Sequence, residues 1–233
     1  MSVIVRVVRA SVALGAAAVL AGCGSPDAEP DPAPPGPAID AAMMRAALLK
    51  PADIGPTWVT PGDAAAPGPL VSFCAGDSTP PPVPPDATVV NAPLVDEGAK
   101  GAQTLNQTAL VYRDTLGAER GMAALRAVAA ACPETVDVPA SDDGTRSEPA
   151  YTETVRTSAY ETGGWSGFVL VRHKQYDPKH PAVADTVVAV LGRRNVVLVD
   201  AYAVYRLGAA STAPGFATDW PKLVGAVITR VSG

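Results

Sequence analysis

Residues 184–205, Ala-Asp-Thr-Val-Val-Ala-Val-Leu-Gly-Arg-Arg-Asn-Val-Val-Leu-Val-Asp-Ala-Tyr-Ala-Val-Tyr, decide how this chain folds. Two runs rich in β-branched Val flank the polar stretch 192–195, the pattern of an antiparallel hairpin with strands at 184–191 and 196–205. Each run is apolar at nearly consecutive positions, so both faces of the sheet must be covered by another layer. Asp200 interrupts the second run. A carboxylate there needs a partner or an opening to water; an Arg such as Arg172 or Arg194 is the expected partner, and a ligand contact is the alternative.

Outward from the hairpin, strand patterns fall at 87–95, 105–113, 151–159 and 165–176. Helical spacing appears in three places. Residues 39–49 carry Met43, Met44, Ala47 and Leu48 behind a capping Asp40, and Pro51 follows. Residues 114–132 place Met122, Leu125, Ala129 and Cys132 on one face before Pro133, and from about Asp219 the residues Trp220, Val224, Val227, Ile228 and Val231 line another, with Pro221 read as lying in the first turn. This order predicts a single α+β domain, an antiparallel β-sheet with packed helices and a candidate ligand cleft.

The 233 residues carry a formal charge of −5 with no Lys/Arg run, which excludes the electrostatic footprint of a nucleic-acid binder. Of 24 Pro, 17 precede residue 94, so regular structure concentrates later in the chain. Residues 61–85 read as a long Pro- and Gly-rich loop with one apolar patch, Leu70-Val71-Ser72-Phe73-Cys74.

Residues 1–22 read as an export signal: Arg6 and Arg9 form the basic region, and 10–20 is apolar but too short to span a bilayer. The signal ends in Leu20-Ala21-Gly22-Cys23, which resembles the lipobox of bacterial lipoproteins. That resemblance implies a diacylglyceryl group on Cys23, a cell-membrane location on the extracytoplasmic face, and the membrane itself as a partner through the anchor. Residues 23–38, with six Pro, read as an extended tether, and 39–233 as the folded domain. Two Cys remain. In an exported protein Cys74 and Cys132 are expected to form a disulfide, two buried thiols being the alternative.

No catalytic motif is complete. In Gly164-Trp165-Ser166-Gly167 the second Gly is one position too early for a nucleophile elbow, so Ser166 reads as a strand residue. His173, Asp177 and His180 lack a third firm ligand at preorganised spacing, so neither metal nor cofactor is expected. The aromatic residues Trp165, Phe168, Tyr176, Tyr202 and Tyr205 gather on the late strands; Trp165, Phe168, Tyr202 and Asp200 are the candidate ligand contacts, with core packing as the alternative.

The lipobox with its Pro-rich tether, Leu48-Leu49-Lys50-Pro51-Ala52-Asp53-Ile54-Gly55 with Trp58, the helix ending in Cys132, and the hairpin at 187–199 together resemble the actinobacterial lipoproteins that share the extracellular sensor domain of the mycobacterial kinase PknH. The resemblance spans about 40–232. It implies an α+β domain with a cleft that binds a ligand at the cell surface, without enzymatic activity. The chain departs from that kinase in offering one disulfide rather than two and in having no kinase portion. Three readings follow: a sensor-like module for a small, apolar envelope molecule, a scaffold for an envelope protein, and an envelope hydrolase.

Overall fold

The Val-rich hairpin lies inside an antiparallel sheet of eight strands. The structure is a computed structural model that describes residues 36–62, 70–76, 79–98, 102–142, 144, 147–179, 181–208 and 211–232. The signal, Cys23 and most of the tether lie outside the described residues, as does His180. In chain order the elements are α1 (Ala41–Ala47), α2 (Pro51–Ile54), β1 (Trp58–Val59), β2 (Thr88–Asp96), β3 (Gln103–Val111), α3 (Thr115–Ala131), β4 (Thr135–Val138), β5 (Ser141–Asp142), β6 (Ser147–Glu148), β7 (Tyr151–Thr162), β8 (Trp165–Tyr176), β9 (Ala182–Arg193), β10 (Val196–Leu207) and α4 (Phe216–Ser232). The sheet runs β1-β2-β3-β10-β9-β8-β7-β4, and β5 and β6 form a separate two-stranded ribbon. The fold is α+β, as the sequence predicts.

Alternation along the strands feeds two cores. Leu198, Tyr202 and Val204 of β10, with Val187, Ala189 and Leu191 of β9 and Trp165 and Val169 of β8, pack beneath α1 and α4. Val197, Val199 and Ala201, with Val188, Val190, Phe168 and Leu170, pack beneath α3 and the segment 70–76. The nearly unbroken apolar runs are thus explained: every residue of the central strands faces one layer or the other.

The turns set the register. Between β9 and β10 only Arg194 and Asn195 stand outside the ladder, a tighter turn than the expected four residues, with Arg194 at φ 53°. Gly163 and Gly164, both at positive φ, close the β7–β8 hairpin, the backbone that a two-residue turn demands. Gly167 lies so close to the Val190 carbonyl that no side chain fits there. The Gly-rich stretch around Ser166 is therefore a hairpin requirement, and Ser166 is a strand residue paired with Gly192.

Side chains of the sheet clip α1 at both ends. Asn195 Oδ1 accepts from the Ile39 N–H at 2.8 Å, and its Nδ2 donates to the Ile39 carbonyl at 2.9 Å and the Tyr112 carbonyl at 2.8 Å. Gln107 accepts from the Leu49 N–H and donates to the Leu49 and Ala92 carbonyls. Arg230 of α4 pairs with Asp53 of α2 at 2.8 Å, and this guanidinium, with the Lys50 N–H, holds the carboxyl at about 2.

Two details of the helices differ from the sequence reading. α4 begins at Phe216, so Pro221 falls beyond the first turn; the carbonyl it leaves without a helical donor belongs to Ala217, which is exposed to solvent. β4 was not apparent in the sequence because its four residues, Thr-Val-Asp-Val, are too few to display a period.

Candidate functional site: a tyrosine ledge at one end of the sheet

The structure separates the residues expected to share a cleft. Trp165, Asp200 and Tyr202 face α1 and α4, whereas Phe168 lies on the opposite face of the sheet, and all four are at most 4% exposed. Tyr202 stacks on Phe216 with centroids 5.9 Å apart and donates its hydroxyl to Gln103 Oε1 at 2.7 Å.

Asp200 has neither expected partner. Arg172, on the other face, pairs with Glu153 at 2.7 Å and donates to the Ser72 carbonyl, and Arg194 donates to the Pro37 carbonyl. Strand alternation is the reason, since even-numbered residues of β8 and β10 face opposite layers. Asp200 Oδ2 has no hydrogen-bond partner, and burial pushes the carboxyl up to about 7.

His173 Nδ1 lies 2.7 Å from Asp185 Oδ1 on the neighbouring strand, and Thr212 Oγ1 donates to the same oxygen at 3.2 Å. The hydroxyl is thus committed to the carboxylate and not to the imidazole, which is not the arrangement of an activated nucleophile. Asp177 caps its own turn by accepting from the Lys179 N–H. Among the described residues no group of three or more His, Cys, Asp or Glu is placed to hold a metal. Cys74 and Cys132 form the expected disulfide, joining the 70–76 segment to the end of α3.

A different set of residues converges at the end of the sheet formed by the start of β7 and the close of β8 and β10. Tyr151 and Tyr176 face each other across the β7–β8 ladder with centroids 5.4 Å apart, and Tyr205 of β10 meets Tyr176 edge-on at 6.0 Å. The Lys174 ammonium lies 3.7 Å from the Tyr151 centroid and 2.7 Å from Glu148 Oε1, which also accepts the Tyr176 hydroxyl at 2.9 Å. Burial, then the hydrogen bond to Glu148, pushes the Tyr176 phenol up.

Two open depressions count Tyr176 among their lining residues, the first also carrying Asp137, Thr152 and Gln175 from the sheet face opposite the Tyr151 and Tyr176 rings. The first, of about 540 Å³, also takes in Tyr151 and Asp177. The other, of about 380 Å³, runs past Tyr176 and Tyr205 to Pro181 and Leu207, the latter 74% exposed. Of these residues, Tyr176 and Tyr205 stand out in the sequence as aromatic, but Tyr151, Lys174 and Glu148 do not. The signal that would have found Tyr151 is the Gly163-Gly164 turn, because a two-residue loop there fixes the register that sets Tyr151 opposite Tyr176.

With that geometry in view, the chain can be set beside known proteins. No protein-family model matches it, and no curated protein does. Among solved structures it is similar to the extracellular domain of PknH from Mycobacterium tuberculosis, with a TM-score of 0.51 over 84% of this chain and 98% of that one. The two share a fold. Their sequences are 12% identical, so the likeness to PknH is one of architecture and carries no site residue across. No helix among the described residues is long and apolar enough to cross a membrane.

Proposed function

We propose that this chain is a lipid-anchored, non-enzymatic binding module of the cell envelope, held on the extracytoplasmic face of the membrane through Cys23, with its ligand seated on the Tyr176 ledge. The anchor reading is supported by the lipobox at 20–23 behind an apolar signal. An extracytoplasmic place accords with a disulfide and with a fold similar to that of an extracellular domain. The observation that carries the binding role is the cluster of Tyr151, Tyr176 and Tyr205 beside an open depression at the end of the sheet. Aromatic rings with polar tips, set beside ammonium and carboxylate groups, are the usual furniture of a ligand site. The sealed Asp200 and the engaged Thr212 give the hydrolase reading no support.

The test is to purify the mature protein in mild detergent, measure its intact mass, and identify molecules that accompany it. A diacylglyceryl mass on Cys23 and a bound molecule that Tyr176→Ala loses are the expected results. A mature protein with an unmodified Cys23 thiol refutes the anchor, and a companion molecule indifferent to Tyr176→Ala refutes the ledge.

One observation favours the scaffold reading. β4 covers β7 only as far as Thr154, so among the described residues nothing pairs with the outer edge of β7 from Arg156 to Thr162. Such an edge offers free backbone groups to an added strand. Stoichiometric capture of an envelope protein, abolished by Ala159→Pro on that edge, would favour it.

A further inference from the structure

The outer edge of β7 is laddered only at its start. Val155 donates its N–H to the Glu134 carbonyl at 2.8 Å, the last bond that β4 and its approach supply on that side. Backbone groups alternate sides along a strand, and the β7–β8 register is unbroken from Tyr151 to Thr162, so the N–H and C=O of Thr157, Ala159 and Glu161 also point outward. Among the described residues none of these groups has a partner. Natural sheets blunt such an edge with Lys, Pro or a bulge, and the stretch Arg156-Thr157-Ser158-Ala159-Tyr160-Glu161-Thr162 has none of them.

We infer that this edge pairs with the same edge of a second copy, β7 against β7, about a two-fold axis through Ala159. The limits of the open stretch select that occupant. It begins after Val155, where β4 stops, and ends at Thr162, before the Gly163-Gly164 turn, so Ala159 is its midpoint. An antiparallel copy centred there sets Ala159 opposite the partner's Ala159 and Thr157 opposite the partner's Glu161. These are the outward-pointing residues of both copies, so every free N–H and C=O of one edge meets its complement on the other. A slip of two residues leaves Thr157 or Glu161 unmatched. The side chains fit the same axis: Arg156 falls opposite the partner's Thr162 and Ser158 opposite the partner's Tyr160, and no like charges face each other. Tyr160, whose ring lies 5.0 Å from that of Trp220, is only part-buried in the single chain, and the second copy covers it further. A strand from another protein would gain nothing from an axis at Ala159, whereas a self-complementary patch is what a closed dimer requires. The pairing uses the edge of the scaffold reading above and is independent of the tyrosine ledge.

The experiment uses the full-length mature protein. Opposed residues of a hydrogen-bonded pair have Cα atoms about 5.5 Å apart, within a disulfide's reach. Ala159→Cys is therefore expected to give a covalent homodimer on mild oxidation, read on a non-reducing gel. Ser158→Cys, which meets its own copy only diagonally at about 7–8 Å, is expected to link at least tenfold less. By mass in mild detergent, wild type is expected as two chains and Ala159→Pro as one, with an unchanged thermal melt, because the N–H that Pro removes makes no bond within the chain. The cysteine pair decides the matter should the Pro variant fail to fold. Wild type that stays a single chain at every concentration, equal linking at 158 and 159, or a dimer indifferent to a folded Ala159→Pro each overturns the proposal. A single chain that captures an envelope protein through this edge would sink the second copy while sparing the scaffold reading.

Discussion

Asp200 and Gln107 stand directly opposite each other on β10 and β3, yet no hydrogen bond joins them. The Gln107 amide is fully engaged in clipping Leu49 and Ala92, so the nearest polar side chain across the ladder has nothing to donate. A carboxylate between Leu198 and Tyr202 is left to titrate in an apolar layer.

The consequence is a pH dependence of known sign. Burial raises the folded-state carboxyl from 3.8 to about 7. Below pH 4 it is protonated in folded and unfolded chains alike and costs nothing. Between pH 4 and 7 only the unfolded chain ionises, so stability falls by about 1.4 kcal/mol per pH unit, to a total cost of about 4 kcal/mol above pH 7. Asp200→Asn should therefore gain on wild type by several kcal/mol between pH 4 and pH 8 in urea denaturation. Parallel pH profiles for the two proteins would remove the explanation.

Arg172 and Glu153 form a pair whose loss should be felt beyond the pair itself. Glu153 accepts from the Gly76 N–H at 2.8 Å and Arg172 donates to the Ser72 carbonyl, so together they grip the chain on either side of Cys74. Arg172→Ala leaves a buried carboxylate without its cation and should cost about 3–5 kcal/mol. The double replacement Arg172→Met with Glu153→Met should recover much of that in chemical denaturation. Hydrogen exchange at Gly76 should accelerate in both. A single mutant as stable as wild type would show that water replaces the guanidinium.

The anchor has its own test. If Cys23 carries the proposed acyl chains, Cys23→Ser should remove them, and with a single uncleaved signal left to hold the chain, the protein should leave the detergent phase or remain unprocessed. Phase partitioning with intact mass distinguishes these. A Cys23→Ser protein that is processed and still partitions with membranes would assign retention to another contact.

The layers of the fold were legible because they follow from periodicity over long segments. Runs such as Val196-Val197-Leu198-Val199 admit only a strand covered on both faces, and the caps Asp40 and Asp114 mark α1 and α3 where the helices begin. The site was less legible because it depends on which strands are neighbours. Aromatic residues on one strand alternate faces, so Trp165 and Phe168, three apart, could never share a wall. Tyr176 and Tyr205 do meet, being even and odd members of strands separated by β9, and only the register reveals it. Asp200 lacks the expected Arg172 partner for the same reason, since Arg172 faces the opposite layer and pairs there with Glu153.

The disulfide gives the remaining prediction. Segment 70–76 has neither helix nor strand, yet Leu70, Phe73 and Ala75 fill the second core, with Phe73 edge-on to Phe168 at 6.5 Å. It is held by the apolar burial, by the Arg172–Glu153 grip, and by the bond from Cys74 to Cys132. Closing a loop across 58 residues restricts the unfolded chain by about 4 kcal/mol. Cys74→Ser should lower stability by a few kcal/mol while leaving the sheet intact, because no strand depends on the bond. Cleavage by a nonspecific protease should then begin within residues 61–85 and not in β8–β10. First cuts in the central strands, or two free thiols in the oxidised wild type, would contradict this account.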